Sequence, residues 1–115
     1  MELTCRDIGT VRVLSVEGRI DHARAADFQQ SLAPHLNDCS AQRQALVLDF
    51  GAVDYVSSIG LRALMLAAKQ VKAQNGRIAI AALSPVVSEV FQISRFNLVF
   101  TIYDSVEAAA AELGK

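Results

Sequence analysis

The chain has 115 residues, with 11 Lys plus Arg against 12 Asp plus Glu and a formal net charge of -1. Its length suits one domain over residues 1–115, and an apolar fraction of 52% suffices for one packed core. The near-neutral balance argues against nucleic-acid binding, which needs a clustered basic excess, and the even spread of charge argues against disorder.

Residues 2–7 alternate, with Leu3 and Cys5 on one face. Ile8-Gly9-Thr10 reads as a turn into Val11–Val16, a β-branched run that predicts a second strand ending before Gly18. So short a connection predicts a hairpin. Asp21 suits a helix N-cap, and Ala25, Phe28, Leu32 and Leu36 follow on one helical face. Pro34 removes a backbone donor and crowds the preceding turn, so a kink or early end is expected there, before a polar loop over Asn37–Gln44. Ala45-Leu46-Val47-Leu48 is apolar without alternation, the pattern of a central strand buried on both faces. Beyond Asp49–Val56, Leu61, Leu64, Met65, Ala68 and Val71 form the stripe of a long helix that Asn75-Gly76 stops. Arg77–Ala82 reads as a short strand. Ser84-Pro85 supplies the cap and first position of a helix carrying Val86, Val87, Val90 and Phe91. Val99–Tyr103 is the last strand, and Asp104-Ser105-Val106-Glu107 is a capping-box pattern opening a helix through Leu113.

The order β-β-α-β-α-β-α-β-α predicts an α/β fold: a mixed sheet of about five strands, mainly parallel with an edge hairpin. A domain this small cannot comfortably cover both faces with helices, so they are expected mainly on one. Phe28, Leu46, Leu48, Leu64 and Val90 are the expected core.

Signatures of catalysis are sparse. His22 and His35 share a helix without companions at metal-ligand spacing. The glycines are too isolated for a phosphate-binding loop, and no serine sits in a G-x-S-x-G elbow. The expectation is a protein that is not an enzyme and carries no cofactor or metal. Cys5 reads as a small core residue of a strand, and Cys39, in a polar loop, as a candidate reactive thiol. No signal-peptide pattern opens the chain, and no apolar run approaches the roughly 18–20 residues of a spanning helix. A cytoplasmic location without direct membrane insertion is expected.

One segment stands out. Asp54-Tyr55-Val56-Ser57-Ser58-Ile59-Gly60-Leu61-Arg62 joins the central strand to the longest helix, with two serines at the helix start. One reading is a cap, worth about 1 kcal/mol. The other is a modification site, because unpaired amides and the helix dipole favour an anion there. Gly60 would then remove bulk beside the hydroxyl and let another protein approach.

Tyr55-Val56-Ser57-Ser58-Ile59-Gly60-Leu61-Arg62 resembles the signature of the anti-sigma factor antagonists, a STAS-domain family. Val16-Glu17-Gly18-Arg19-Ile20-Asp21 resembles the family's segment before its first helix. Ala82-Leu83-Ser84-Pro85-Val86-Val87 and Phe91-Gln92-Ile93-Ser94-Arg95-Phe96 resemble its later helix and exit. Together these cover essentially the whole chain, in order.

The resemblance implies a small sheet with helices largely on one side, and a bacterial phosphoprotein in signal transduction and transcription regulation. Such a protein is a partner switch. Unphosphorylated, it binds a serine-kinase anti-sigma factor; phosphorylation breaks the complex; a serine phosphatase of the metal-dependent type reverses the modification. Counted from Gly60, the acceptor is Ser58, with Ser57 as the second candidate. Ser57 stands where the family often has aspartate. Asp21 matches the aspartate at the end of the second strand, near the acceptor. Asp21 and Asp54 are expected on the two loops flanking the helix start, where their charges add to the phosphate. Arg62, one turn after Ser58, either reaches the phosphate or is an ordinary solvent-facing arginine. The partner-binding set is thus Asp21, Asp54, Ser57, Ser58, Gly60 and Arg62. A different class stays open: a constitutive STAS scaffold, or a subunit of a stress-signalling or lipid-transport complex.

Overall fold

Gly9 turns the chain back on itself with φ at +60°, and the two-residue connection sets Ile8 opposite Val11 in an antiparallel pair. These strands, β1 (Thr4–Ile8) and β2 (Val11–Ile20), open a computed structural model that describes residues 3–40 and 44–114. Then follow α1 (Ala25–Asn37), β3 (Ala45–Val56), α2 (Ser58–Ala73), β4 (Ile78–Ala81), α3 (Pro85–Ile93), a 3₁₀ turn (Phe96–Leu98), β5 (Thr101–Tyr103) and α4 (Val106–Leu113).

Strand order in the sheet is chain order, β1-β2-β3-β4-β5, parallel from β2 onward. Parallel crossovers are right-handed in nearly every protein. Three of them stepping the same way across a sheet must place their helices on the same face. Accordingly Phe28 and Leu32 of α1, Leu64 and Ala67 of α2, and Val87 and Phe91 of α3 share one buried cluster with Leu14, Leu46, Leu48 and Ile80. No crossover constrains α4, which follows the last strand. It covers the other face, where Val106, Ala109, Ala110 and Leu113 pack on Val11, Val13, Val47 and Ala79. The central strand is therefore buried on both sides, as its unalternating sequence requires.

Phe28, Leu46, Leu48 and Leu64 are fully buried as expected, whereas Val90 is only half-buried. α3 turns Val87 and Phe91, one turn apart, to the sheet, and this leaves Val90 at the margin. Phe91 sits edge-on between Phe50 and Phe96, at centroid distances of 6.3 and 5.6 Å, and Phe96 stacks on Phe100. This row fixes α3 and the 3₁₀ turn against β3. In α2, Leu61, Met65 and Ala68 flank the stripe half-buried, while Ala63 and Ala67 lie fully inside.

Several boundaries differ from expectation. β2 runs on to Ile20 and β3 to Val56, while β4 and β5 are shorter than their apolar runs. α1 continues through Pro34: both Pro34 and Gln30, whose carbonyl receives no i+4 amide from the proline, face solvent. Asn37 belongs to α1, and residues 41–43 of the expected loop lie outside the described residues. The cysteines exchange roles. β1 is exposed along its whole length, so Cys5 is not a core residue. Cys39 is buried, and its thiol donates to the Arg77 carbonyl at 3.2 Å. Burial pushes its pKa up, which keeps it protonated and disfavours a reactive thiolate. Gly76 stops α2 as expected, its amide on the Val71 carbonyl, with Asn75 in the left-handed conformation. A β-carbon at Gly76 would lie 2.6 Å from the Cys39 carbonyl oxygen, so this position has room for glycine alone.

Candidate functional site

β2 and β3 outrun the rest of the sheet. Pairing of β3 with β4 ends at Asp49 opposite Ala81, while β3 stays paired with β2 to Val56 opposite Ile20. The far half of β3 thus belongs to a two-stranded ribbon, and α2 begins at its tip.

Two irregularities shape that ribbon. Between the Ser15–Asp49 and Glu17–Ala52 pairs β3 spends one residue more than β2. Asp49 holds this bulge: one carboxylate oxygen accepts from the Gly51 amide at 3.0 Å, the other from the Ser15 hydroxyl at 3.1 Å. The second lies between the Gly18–Val53 and Arg19–Tyr55 pairs, with Gly18 at φ +88°. Asp54 is the extra residue. It stands in a strand bulge, not in a loop as expected. The bulge breaks the two-residue alternation, so Val53 and Val56 both turn inward while Asp54 and Tyr55 both face solvent. The Arg19 guanidinium lies 4.6 Å from the centre of the Tyr55 ring, an exposed cation–π pair at the ribbon tip.

At the tip the two serines separate. Ser57 is the N-cap of α2: its Oγ accepts from the Gly60 amide at 3.1 Å, and its own amide donates to the Ile20 carbonyl at 2.8 Å. Ser58 is the first helical residue, exposed, and its hydroxyl has no hydrogen-bond partner among the described residues. The capping reading holds for Ser57, while the Ser58 hydroxyl is left exposed.

Gly60 is buried. A β-carbon there would sit 2.8 Å from Ile20 Cγ2 and 2.9 Å from the Ile20 carbonyl oxygen. The close approach it permits is of α2 to the end of β2 inside the protein, not of a partner from outside. That contact holds Asp21 beside the helix start, since Asp21 directly follows Ile20. Asp21 is half-buried, and its carboxylate accepts from the Arg24 amide at 3.0 Å. It caps a turn over 22–24, and α1 starts only at Ala25. Arg62 is exposed on the next turn of α2 and makes no ion pair among the described residues.

Ser58, Arg62, Tyr55, Asp54 and Ile59 therefore form an exposed surface around the start of α2, backed by Ser57, Gly60 and Ile20. Tyr55 and Ile59 are each 37% exposed and give this polar patch two apolar contacts. Sequence reasoning assigned no role to Arg19, Tyr55 or Ile59. Tyr55 and Ile59 flank the serines in the chain itself, whereas only the register of β2 against β3 brings Arg19 to them. The site is a rim and not a crevice. In open α/β sheets, crevices form where the strand order reverses, and here it never does.

The STAS domain family model matches residues 3–109. The chain belongs to the STAS domain family. BtrV of Bordetella bronchiseptica, whose name places it among the anti-sigma factor antagonists, is 38% identical over 111 residues, or 96% of this chain and 93% of BtrV. Among solved structures, a Thermotoga maritima protein of the same naming superposes with a TM-score of 0.87 at 18% identity, covering 98% of this chain and 95% of that one. The phosphorylated form of SpoIIAA, a Bacillus cell-fate determinant, superposes with a TM-score of 0.68 at 16% identity over 96% and 98% of the two chains. At these identities the superpositions establish the STAS fold. Among the described residues, no helix is long and apolar enough to cross a membrane.

Proposed function

We propose that this STAS domain is an anti-sigma factor antagonist that works as a partner switch in the cytoplasm, with Ser58 as its phosphate acceptor and without catalysis of its own. Unphosphorylated, it docks a serine-kinase anti-sigma factor through the α2 rim. The kinase phosphorylates Ser58 and the complex breaks. A serine phosphatase of the metal-dependent type restores the hydroxyl. One observation carries the choice of residue: Ser57 spends its oxygen on the Gly60 amide, while Ser58 is exposed and its oxygen is unbonded among the described residues. A hydroxyl that caps a helix is held against its own backbone; a free one at the first helical position can enter another protein's active site. The similarity to BtrV and the existence of a phosphorylated SpoIIAA structure on the same fold support the reading.

Release follows from charge. Phosphate adds about -1.5 to -2 charges at pH 7, at a rim that already carries Asp21 and Asp54. Desolvating that group against a neutral or acidic partner surface costs several kcal/mol, and each ~1.4 kcal/mol is tenfold in affinity. The fold need not change, because the unpaired amides at the start of α2 favour an anion there.

The test is incubation with ATP and a serine-kinase anti-sigma factor of the same genome, followed by mass spectrometry. Phosphate is expected on Ser58, lost in Ser58→Ala and retained in Ser57→Ala. In calorimetry, Ser58→Ala should bind that partner at least as tightly as wild type and Ser58→Asp clearly more weakly. Phosphate confined to Ser57, or equal affinity for all three proteins, overturns the assignment.

A further inference from the structure

The opposite end of α2 carries a feature that the partner switch does not use. A groove of about 710 Å³ runs between the last turns of α2, the start of β4 and the chain entering β5. That volume falls within the roughly 300–1,000 Å³ of small-molecule sites. Met65, Ile78 and Val99 give it an apolar lining. Its cations are Lys69, Lys72 and Arg77, and among the described residues no carboxylate lines it. In a chain with 11 cations and 12 anions, such a segregation of charge is not the average surface.

Ordinary helix chemistry explains only part of this. Lys72 lies in the last turn of α2, where a cation complements the dipole. Lys69 lies a turn earlier, and Arg77 lies beyond the helix. Arg77 is fixed in place: its guanidinium donates to the Leu113 carbonyl of α4. Neither lysine is ion-paired among the described residues. The carbonyls at the end of α2 do not repel an anion strongly, because the Gln74, Asn75 and Gly76 amides cover those of Gln70, Val71 and Lys72. At the rim, Leu98 is 77% exposed beside Val99 at 38%, apolar surface that the isolated chain leaves in water.

We infer that this groove binds a soluble single-chain amphiphilic anion, a carboxylate or phosphate head on an alkyl or acyl tail. The head would sit among Lys69, Lys72 and Arg77, and the tail would lie along Met65, Ile78 and Val99 under Leu98. The site is roughly 20 Å along the helix axis from Ser58 and does not depend on the partner-switch reading.

Calorimetry and amide-shift mapping on the full chain test it, with dodecanoate and dodecyl phosphate kept below micelle formation. Both are expected to bind one to one and to move amides at Lys69, Lys72, Arg77 and Leu98. Inorganic phosphate and uncharged dodecyl maltoside, each offering half of the recognition, should not saturate. The double variant Lys69→Glu/Lys72→Glu, at two exposed positions, should stay folded, melting slightly below wild type because the helix dipole loses its cation, and bind at least about tenfold more weakly. Leu98→Asn should weaken the tail contact in the same assay. Equal affinity for dodecanoate and maltoside overturns the inference. So does an unchanged double variant, or association only with phosphatidylglycerol vesicles, which would mark a membrane-facing surface instead.

Discussion

Without the Ser57 hydroxyl the Gly60 amide has no acceptor, so Ser57→Ala should lower unfolding stability by about 1 kcal/mol in urea titrations. Ser58→Ala should change it little, and Ser58→Asp should melt close to wild type, because the first helical turn accommodates an anion. Gly60→Ala gains helix propensity of about 1 kcal/mol but drives a methyl against Ile20. Overpacking should win, for a net loss of about 1–3 kcal/mol. A variant as stable as wild type would show that α2 and β2 are less tightly joined. His35 carries a pH signature. Burial, and then the Arg12 cation, lower its pKa below 6.5. The neutral ring is favoured in the fold, so its contribution is fully present above pH 6.5 and fades as pH falls through that value toward the lower folded pKa. His35→Gln should flatten the stability profile across that acid window. At this scale the serine pair and Gly60 were legible in the sequence but their duties were not. Which hydroxyl caps, and which way a missing side chain points, depend on where Ile20 arrives from another strand. Cys5 and Cys39 differ from expectation for the same reason, that burial depends on what other segments cover: β1 is left exposed, while Gly76 and Arg77 close against Cys39.

Elements with a clean period were the readable ones. α2 and α3 were placed by their stripes, and Ser84, which accepts from the Val87 amide, does cap α3. β2 and β3 were cut short because each bulge inserts a residue and breaks the two-residue rhythm that marks a strand. Asp49 in mid-strand looks like a terminator until its bonds to Gly51 and Ser15 are seen. Ala82, left-handed at φ +64°, gives no sequence signal. Packing energetics should follow burial. Leu64→Ala, in the fully buried stripe of α2, should cost about 2–5 kcal/mol, and Phe91→Ala, in the aromatic row, about 3–5 kcal/mol. Val90→Ala should cost distinctly less than Val87→Ala, since only Val87 is fully inside. Equal losses in urea titrations would mean that α3 is rotated from the orientation described.

For the molecule as a whole, α4 is the test of the two-sided sheet. Ending the chain at Tyr103 would uncover Val11, Val13, Val47 and Ala79. Such a protein should bind a hydrophobic dye and lose its cooperative melt; a sharp melt without dye binding would reduce α4 to an appendage. The alternating order of strands and helices announced the parallel sheet, and the small size suggested helices mainly on one face, where α1, α2 and α3 do lie. The opposite face was less legible, because nothing local says where a helix after the last strand will settle. The order of the strands also bears on how the protein is made. Each strand is laid beside the one synthesised just before it, so a nascent chain leaving the ribosome never waits for a distant segment to complete a pair. α4 is the exception. Until Ala109 and Leu113 emerge, the side of the sheet bearing Val11, Val13 and Val47 stays wet, and it is there that a chaperone would meet the growing chain.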